Sequence, residues 1–229
     1  MDSTSADLLE TVEFATGPQP SWTVLVLHGL GDSGDGWAPI APELVRPTWP
    51  EVRFVFPHAP VRPVTINAGM RMRAWFDILD LADIDARVDE AGIAQSAAAV
   101  EALIAREAER GVPRSRVVLA GFSQGGAIAL TVALRSRDTL AGLVALSSYL
   151  PQGAALVRDA TPMPQTPPVF MAHGLHDPVL PHRAGELAAE QLRAAGYTVE
   201  WHSYPMAHEV CLEEIAALGD WLSQRFAGR

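Results

Sequence analysis

The chain contains no lysine; all 17 of its basic residues are arginine. That absence removes Ser–Lys dyads, Schiff-base chemistry and the phosphate-gripping lysine of a P-loop. Cysteine is nearly absent too. Cys211 stands alone, so neither an internal disulfide nor a cysteine-built zinc cluster can form. Such sparing use fits a reducing compartment. Positive charge is outweighed, with a formal net charge of −10. A nucleic-acid partner is therefore not expected, because phosphate binding needs clustered cations. No apolar run is long enough to cross a bilayer, so no integral membrane segment is expected. Met1 to Asp7 is polar and acidic and lacks the basic and apolar parts of a secretory signal. Together these features point to a cytoplasmic protein.

What is present reads as one α/β domain over residues 1–229. The length suits a single core, and 48% hydrophobic residues argue against disorder. No internal repeat, low-complexity tract or linker divides the chain. Strands are expected at Leu8–Phe14, Trp22–Leu27, Val52–Phe56, Arg116–Ala120, Leu140–Leu146, Val169–Ala172 and Tyr197–Ser203. Helical patterns fall between them, at about Trp37–Val45, Asp89–Arg110, Ala127–Leu134, Arg183–Ala195 and in a last helix to Phe226. The central strands are continuous apolar runs, as in a sheet buried on both faces. Strand–helix alternation implies right-handed crossovers and a mostly parallel sheet with helices on both faces. The segment at about 57–81, rich in Pro, Met and aromatics, fits neither period and reads as a long functional loop. Gln152 to Pro168 reads as a second loop.

Chemistry concentrates at Gly121-Phe122-Ser123-Gln124-Gly125-Gly126, where a strand gives way directly to a helix. A serine on so sharp a turn sits at strained backbone angles, and its neighbours must lack a Cβ where strand and helix approach. The helix N-terminus behind it offers unpaired N–H groups to a developing oxyanion. A serine hydroxyl needs a base, and the base needs a carboxylate to orient it. In an open α/β sheet such groups collect in the loops beyond the carboxyl ends of the strands. Taken in chain order those loops supply Ser123, then Asp177, then His208, the order expected when G-x-S-x-G opens the set. His173 and His176 share the acid's own loop, His202 lies inside a strand, and His28 is better placed to buttress a turn. The stretch His28 to Gly36 has four glycines in nine residues. It lacks the phasing of a dinucleotide loop, so the backbone N–H of Leu30 becomes the second oxyanion donor beside that of Gln124. No metal or cofactor is called for.

These residues resemble a known family. His28-Gly29-Leu30-Gly31-Asp32-Ser33-Gly34, Arg73-Ala74-Trp75-Phe76-Asp77, the Gly121–Gly126 turn, His173-Gly174 with Asp177-Pro178-Val179, and His208-Glu209 are similar to the bacterial carboxylesterase and acyl-protein thioesterase (phospholipase/carboxylesterase) family of small α/β-hydrolases. The likeness runs from about Gly17 to Leu222. It implies an α/β-hydrolase fold without a large cap domain, and a short hydrophobic loop that shapes an acyl groove. On that footing Trp75 and Phe76 wall the acyl side with Leu150, Val179 and Leu180; the alternative for Trp75 is a core anchor that pins the loop. Eukaryotic thioesterases of the group can carry a palmitoylated cysteine near the N-terminus. This chain has none there, which argues against action on proteins at a membrane.

The expected activity is that of a serine carboxylesterase. It would cleave small-molecule esters of short to medium acyl chain through an acyl-enzyme on Ser123, and lose activity on acidification as its histidine protonates. An acyl-thioesterase or lysophospholipase would use the same triad. A catalytically silent binding module is the non-enzymatic alternative, although no triad member is missing. The sequence allows a homodimer as well as a monomer.

Overall fold

The computed structural model describes residues 8–80, 88–160 and 165–227. The Met1–Asp7 segment and the end of the 57–81 segment lie outside them. Among these described residues, seven strands form the main sheet: β1 (Thr11–Ala15), β2 (Trp22–Leu27), β3 (Val52–Pro57), β6 (Val117–Phe122), β7 (Gly142–Leu146), β8 (Val169–Gly174) and β9 (Val199–Tyr204). Their order is β1-β3-β2-β6-β7-β8-β9. Only β1 runs antiparallel, pairing with β3; every other neighbour is parallel.

Alternation along the strands separates two cores. Leu25, Leu27, Val117 and Leu119 face one side, with α3 (Glu90–Glu109), α4 (Gln124–Arg135) and α6 (His182–Ala194). Val24, Val26, Phe54 and Phe56 face the other, against α1 (Gly34–Trp37), α2 (Ile40–Leu44) and α7 (Leu212–Ala227). Because both faces are covered, β2, β7 and β8 are buried throughout. The edge strands β1 and β9 are not. The crossover helices bring every parallel strand to the same edge of the sheet, and the site gathers there. Among the described residues no helix is long and apolar enough to cross a membrane.

Three segments differ from expectation. The helix expected at 37–45 is split. The Ser33 side chain accepts from the Gly36 N–H and starts α1 early, and α2 begins after Pro39. Within the 57–81 segment, β4 (Val61–Val64) and β5 (Met70–Arg73) form a small antiparallel hairpin. Its turn uses positive φ at Ala68 (54°) and Gly69 (75°). The residues expected to be one loop from 152 to 168 include a short helix, α5 (Gly153–Arg158).

Candidate active site

Ser123 sits between β6 and α4 with φ 50° and ψ −119°, a region that costs a non-glycine residue strain. Its N–H donates to the Leu146 carbonyl at 2.8 Å, tying the turn to β7. A Cβ on Gly121 would run into the Gly125 carbonyl group, and one on Gly125 would meet the Leu27 carbonyl. Only glycine lets α4 start this close to the ends of β6 and β2.

Asp177 follows β8 and His208 follows β9. One oxygen of the buried Asp177 carboxylate accepts the N–H groups of Val179 and Leu180, each at 2.8 Å. The other lies 2.6 Å from His208 Nδ1. His208 Nε2 lies 2.9 Å from Ser123 Oγ. A carboxylate can only accept, so Nδ1 carries the hydrogen and Nε2 is left to accept the serine proton. The Phe122 ring packs on the imidazole at 4.8 Å. The structure thus brings together the three residues picked out by chain order.

Leu30 lies in the loop after β2, and Gln124 opens α4. Among the described residues neither backbone N–H meets an acceptor; for Gln124 that is expected at a helix start. The Gln124 side chain has work of its own, which the sequence did not suggest. Its Oε1 accepts the Trp75 N–H and its Nε2 donates to the Phe76 carbonyl, both at 2.8 Å. One amide therefore clamps the loop backbone to the serine turn. His28 is buried and braces the same region, with Nε2 accepting the Ala59 N–H and Nδ1 donating to the Gly29 carbonyl. Burial lowers its pKa.

A cleft of about 320 Å³ opens over Ser123, lined by Gly29, Leu30, Asp32, Ile66, Ile78, Phe122, Gln124, Tyr149, Val179, Leu180 and His208. Val179 and Leu180 are where the resemblance put them. Trp75, Phe76 and Leu150 are not; all three are buried in the core. Trp75 turns inward because its Nε1 donates to the His28 carbonyl at 2.8 Å, so it pins the loop. Ile66, Ile78, Phe122 and Tyr149 take the expected places on the wall. The only sequence signal for Ile66 and Ile78 is that they are branched apolar residues in a segment with no amphipathic period. Among the described residues no group of three or more His, Cys, Asp or Glu is placed to hold a metal ion.

A serine turn at the carboxyl edge of a mostly parallel, doubly covered sheet, with acid and histidine following later strands, makes this an α/β-hydrolase. Residues 11–225 match the model of the Phospholipase/Carboxylesterase family, and the chain belongs to that family. It is a serine hydrolase. It is 41% identical over 223 residues to acyl-protein thioesterase 1 of Mycosarcoma maydis, covering 91% of this chain and 93% of the relative. It is 42% identical over 213 residues to the protein of that name from Neurospora crassa, covering 89% and 86%. The crystal structure of Arabidopsis thaliana SOBER1 superposes with a TM-score of 0.82 at 32% identity, covering 89% of this chain and 98% of the plant chain. These relatives are eukaryotic, and the family is the one that the motifs resemble.

Proposed function

We propose that the protein hydrolyses carboxylic esters and thioesters of short to medium acyl chain through an acyl-enzyme on Ser123. The observation that carries this reading is the unbroken hydrogen-bond chain from Ser123 Oγ through His208 to Asp177, at 2.9 and 2.6 Å. Nε2 takes the serine proton as Oγ attacks the acyl carbon. The resulting oxyanion is received by the N–H groups of Leu30 and Gln124. As the tetrahedral species collapses, His208 returns the proton to the departing oxygen or sulfur, and the acyl group stays on Oγ. The same nitrogen then deprotonates a water, whose oxygen attacks the ester, and Ser123 leaves with the proton. Asp177 holds the tautomer and stabilises the transient imidazolium.

The apolar wall of Ile66, Ile78, Tyr149, Val179 and Leu180 suits an acyl chain. A volume of about 320 Å³ is at the small end of ligand sites and favours the shorter chains. The thioester half of the reading is supported by the names of the two fungal relatives. A fluorophosphonate probe should label Ser123 in the intact protein. Ser123→Ala should lose labelling and on the order of 10⁶-fold in kcat. Turnover within tenfold of the parent would end the proposal.

A further inference from the structure

His208 borders two cavities. Beyond the cleft over Ser123, a groove of about 470 Å³ lies on the other side of His208 and Phe122. Trp37, Ile40, Val210 and Ile215 give it an apolar floor, and Asp32, Glu43 and Glu209 stand along it. Apart from His208 itself, none of its lining residues is basic. Asp32 belongs to both cavities. Its carboxylate is fixed there by the Trp37 indole N–H at 3.0 Å and the Ser33 N–H at 2.7 Å.

The proposed acyl transfer constrains what can occupy that groove. The departing oxygen or sulfur must take its proton from His208 Nε2, so the leaving group has to lie against the imidazole. The Ser123 side of the imidazole already opens into the cleft that holds the oxyanion donors and the apolar wall. The alcohol or thiol portion is then directed past Phe122 into the groove, whose floor can cover an apolar segment. Its charge can be read from the walls. Three carboxylates with no arginine among the lining residues, on a chain of net charge −10, repel an anion and draw a cation at several ångströms.

We infer that the groove beyond His208 is the leaving-group subsite, and that it selects a cationic alcohol or thiol over an anionic one. This rests on the acyl-transfer reading above. Thioesters of a basic peptide or of a quaternary-ammonium thiol fit it; polyphosphate-bearing thiols do not.

The test uses octanoyl thioesters of three thiols, namely thiocholine (cationic), N-acetylcysteamine (neutral) and coenzyme A (anionic). For the parent protein kcat/KM should be at least tenfold higher on the thiocholine thioester than on the coenzyme A thioester at low salt, and the ratio should shrink at high salt. The double variant Glu43→Gln/Glu209→Gln should cut that ratio by threefold or more. Glu109→Gln, an exposed residue of α3 at the opposite edge of the sheet, should leave the ratio as in the parent. Equal rates on the two charged substrates, or a ratio unmoved by the double variant, would overturn the inference alone. No turnover of any of the three, together with no fluorophosphonate labelling, would overturn the acyl-transfer reading and the inference with it.

Discussion

His173 Nε2 lies 3.2 Å from the same Asp177 oxygen that holds His208. It also lies 3.0 Å from the Leu180 carbonyl. Both neighbours can only accept, so Nε2 carries the hydrogen of this imidazole. Burial lowers the His173 pKa, which favours the neutral ring, and among the described residues its Nδ1 has no hydrogen-bond partner. A histidine outside the proposed triad thus braces the acid from behind.

His173→Leu should lower kcat by roughly tenfold, a typical cost for one lost hydrogen bond to a charged group. With one partner of that Asp177 oxygen gone, the carboxylate is held less firmly against His208 Nδ1, so the loss should fall on kcat and leave KM nearly unchanged. His173→Gln, which can restore a donor, should recover part of kcat. An unchanged kcat while stability alone falls would reduce His173 to a packing residue.

The Gln124 clamp has a separate signature. Gln124→Ala keeps the backbone N–H but leaves the buried Trp75 N–H and Phe76 carbonyl without partners. Each orphaned group costs about 1–3 kcal/mol, so Tm should fall by roughly 5–10 °C. KM should rise as the loop loosens. Gln124→Glu, which can still accept from Trp75, should fall between. Differential scanning calorimetry beside steady-state kinetics separates the two effects.

Glu214, in the first turn of α7, is fully buried, and among the described residues neither oxygen meets a donor in hydrogen-bonding geometry. Burial raises its pKa from 4.5 to about 8, and the nearby Cys211 backbone N–H offsets only part of that. The folded state therefore holds a proton that the unfolded chain has released. Its contribution to stability is complete below pH 4.5 and is lost progressively as pH rises to about 8. Glu214→Gln removes the titration. Relative to the parent, the variant should gain stability across that window, by on the order of 2–4 kcal/mol at its alkaline end. Chemical denaturation at pH 5 and pH 8 checks it: an equal difference at both would refute the assignment.

Ile78 and Trp75 should respond in opposite ways. Ile78→Trp fills the cleft and should shift preference toward shorter acyl chains across a p-nitrophenyl ester series. Trp75→Phe deletes the indole bond to the His28 carbonyl and should cost about 1–3 kcal/mol of stability. It should leave the chain-length profile where it was.

The serine turn and its two partners are legible in the sequence, whereas the cleft wall is not. Ser123, Asp177 and His208 could be placed beside one another because each follows a strand, and parallel strands end at one edge. Glycines 121 and 125 announced the turn because their steric need is local. The 57–81 segment resisted because its geometry is set from outside. The Gln124 amide, the His28 carbonyl and the Ser96 hydroxyl, which donates to the Trp75 carbonyl, decide which way each side chain turns. Nothing local makes Trp75 face inward and Ile78 face the cleft. The β4–β5 hairpin was hidden for a related reason: its pairing sets Val61 opposite Arg73 and Arg62 opposite Met72, so each face mixes apolar residues with arginine.

The backbone of Ser123 sets a limit on how stable the working protein can be. Held at φ 50°, it stores strain of about 1–3 kcal/mol, and glycine would release most of that for roughly 0.5–1 kcal/mol of chain entropy. Ser123→Gly should therefore melt higher than the parent while being catalytically dead. Selection or engineering for thermal tolerance alone would drift toward that inert form, so stability screens on this protein need an activity gate.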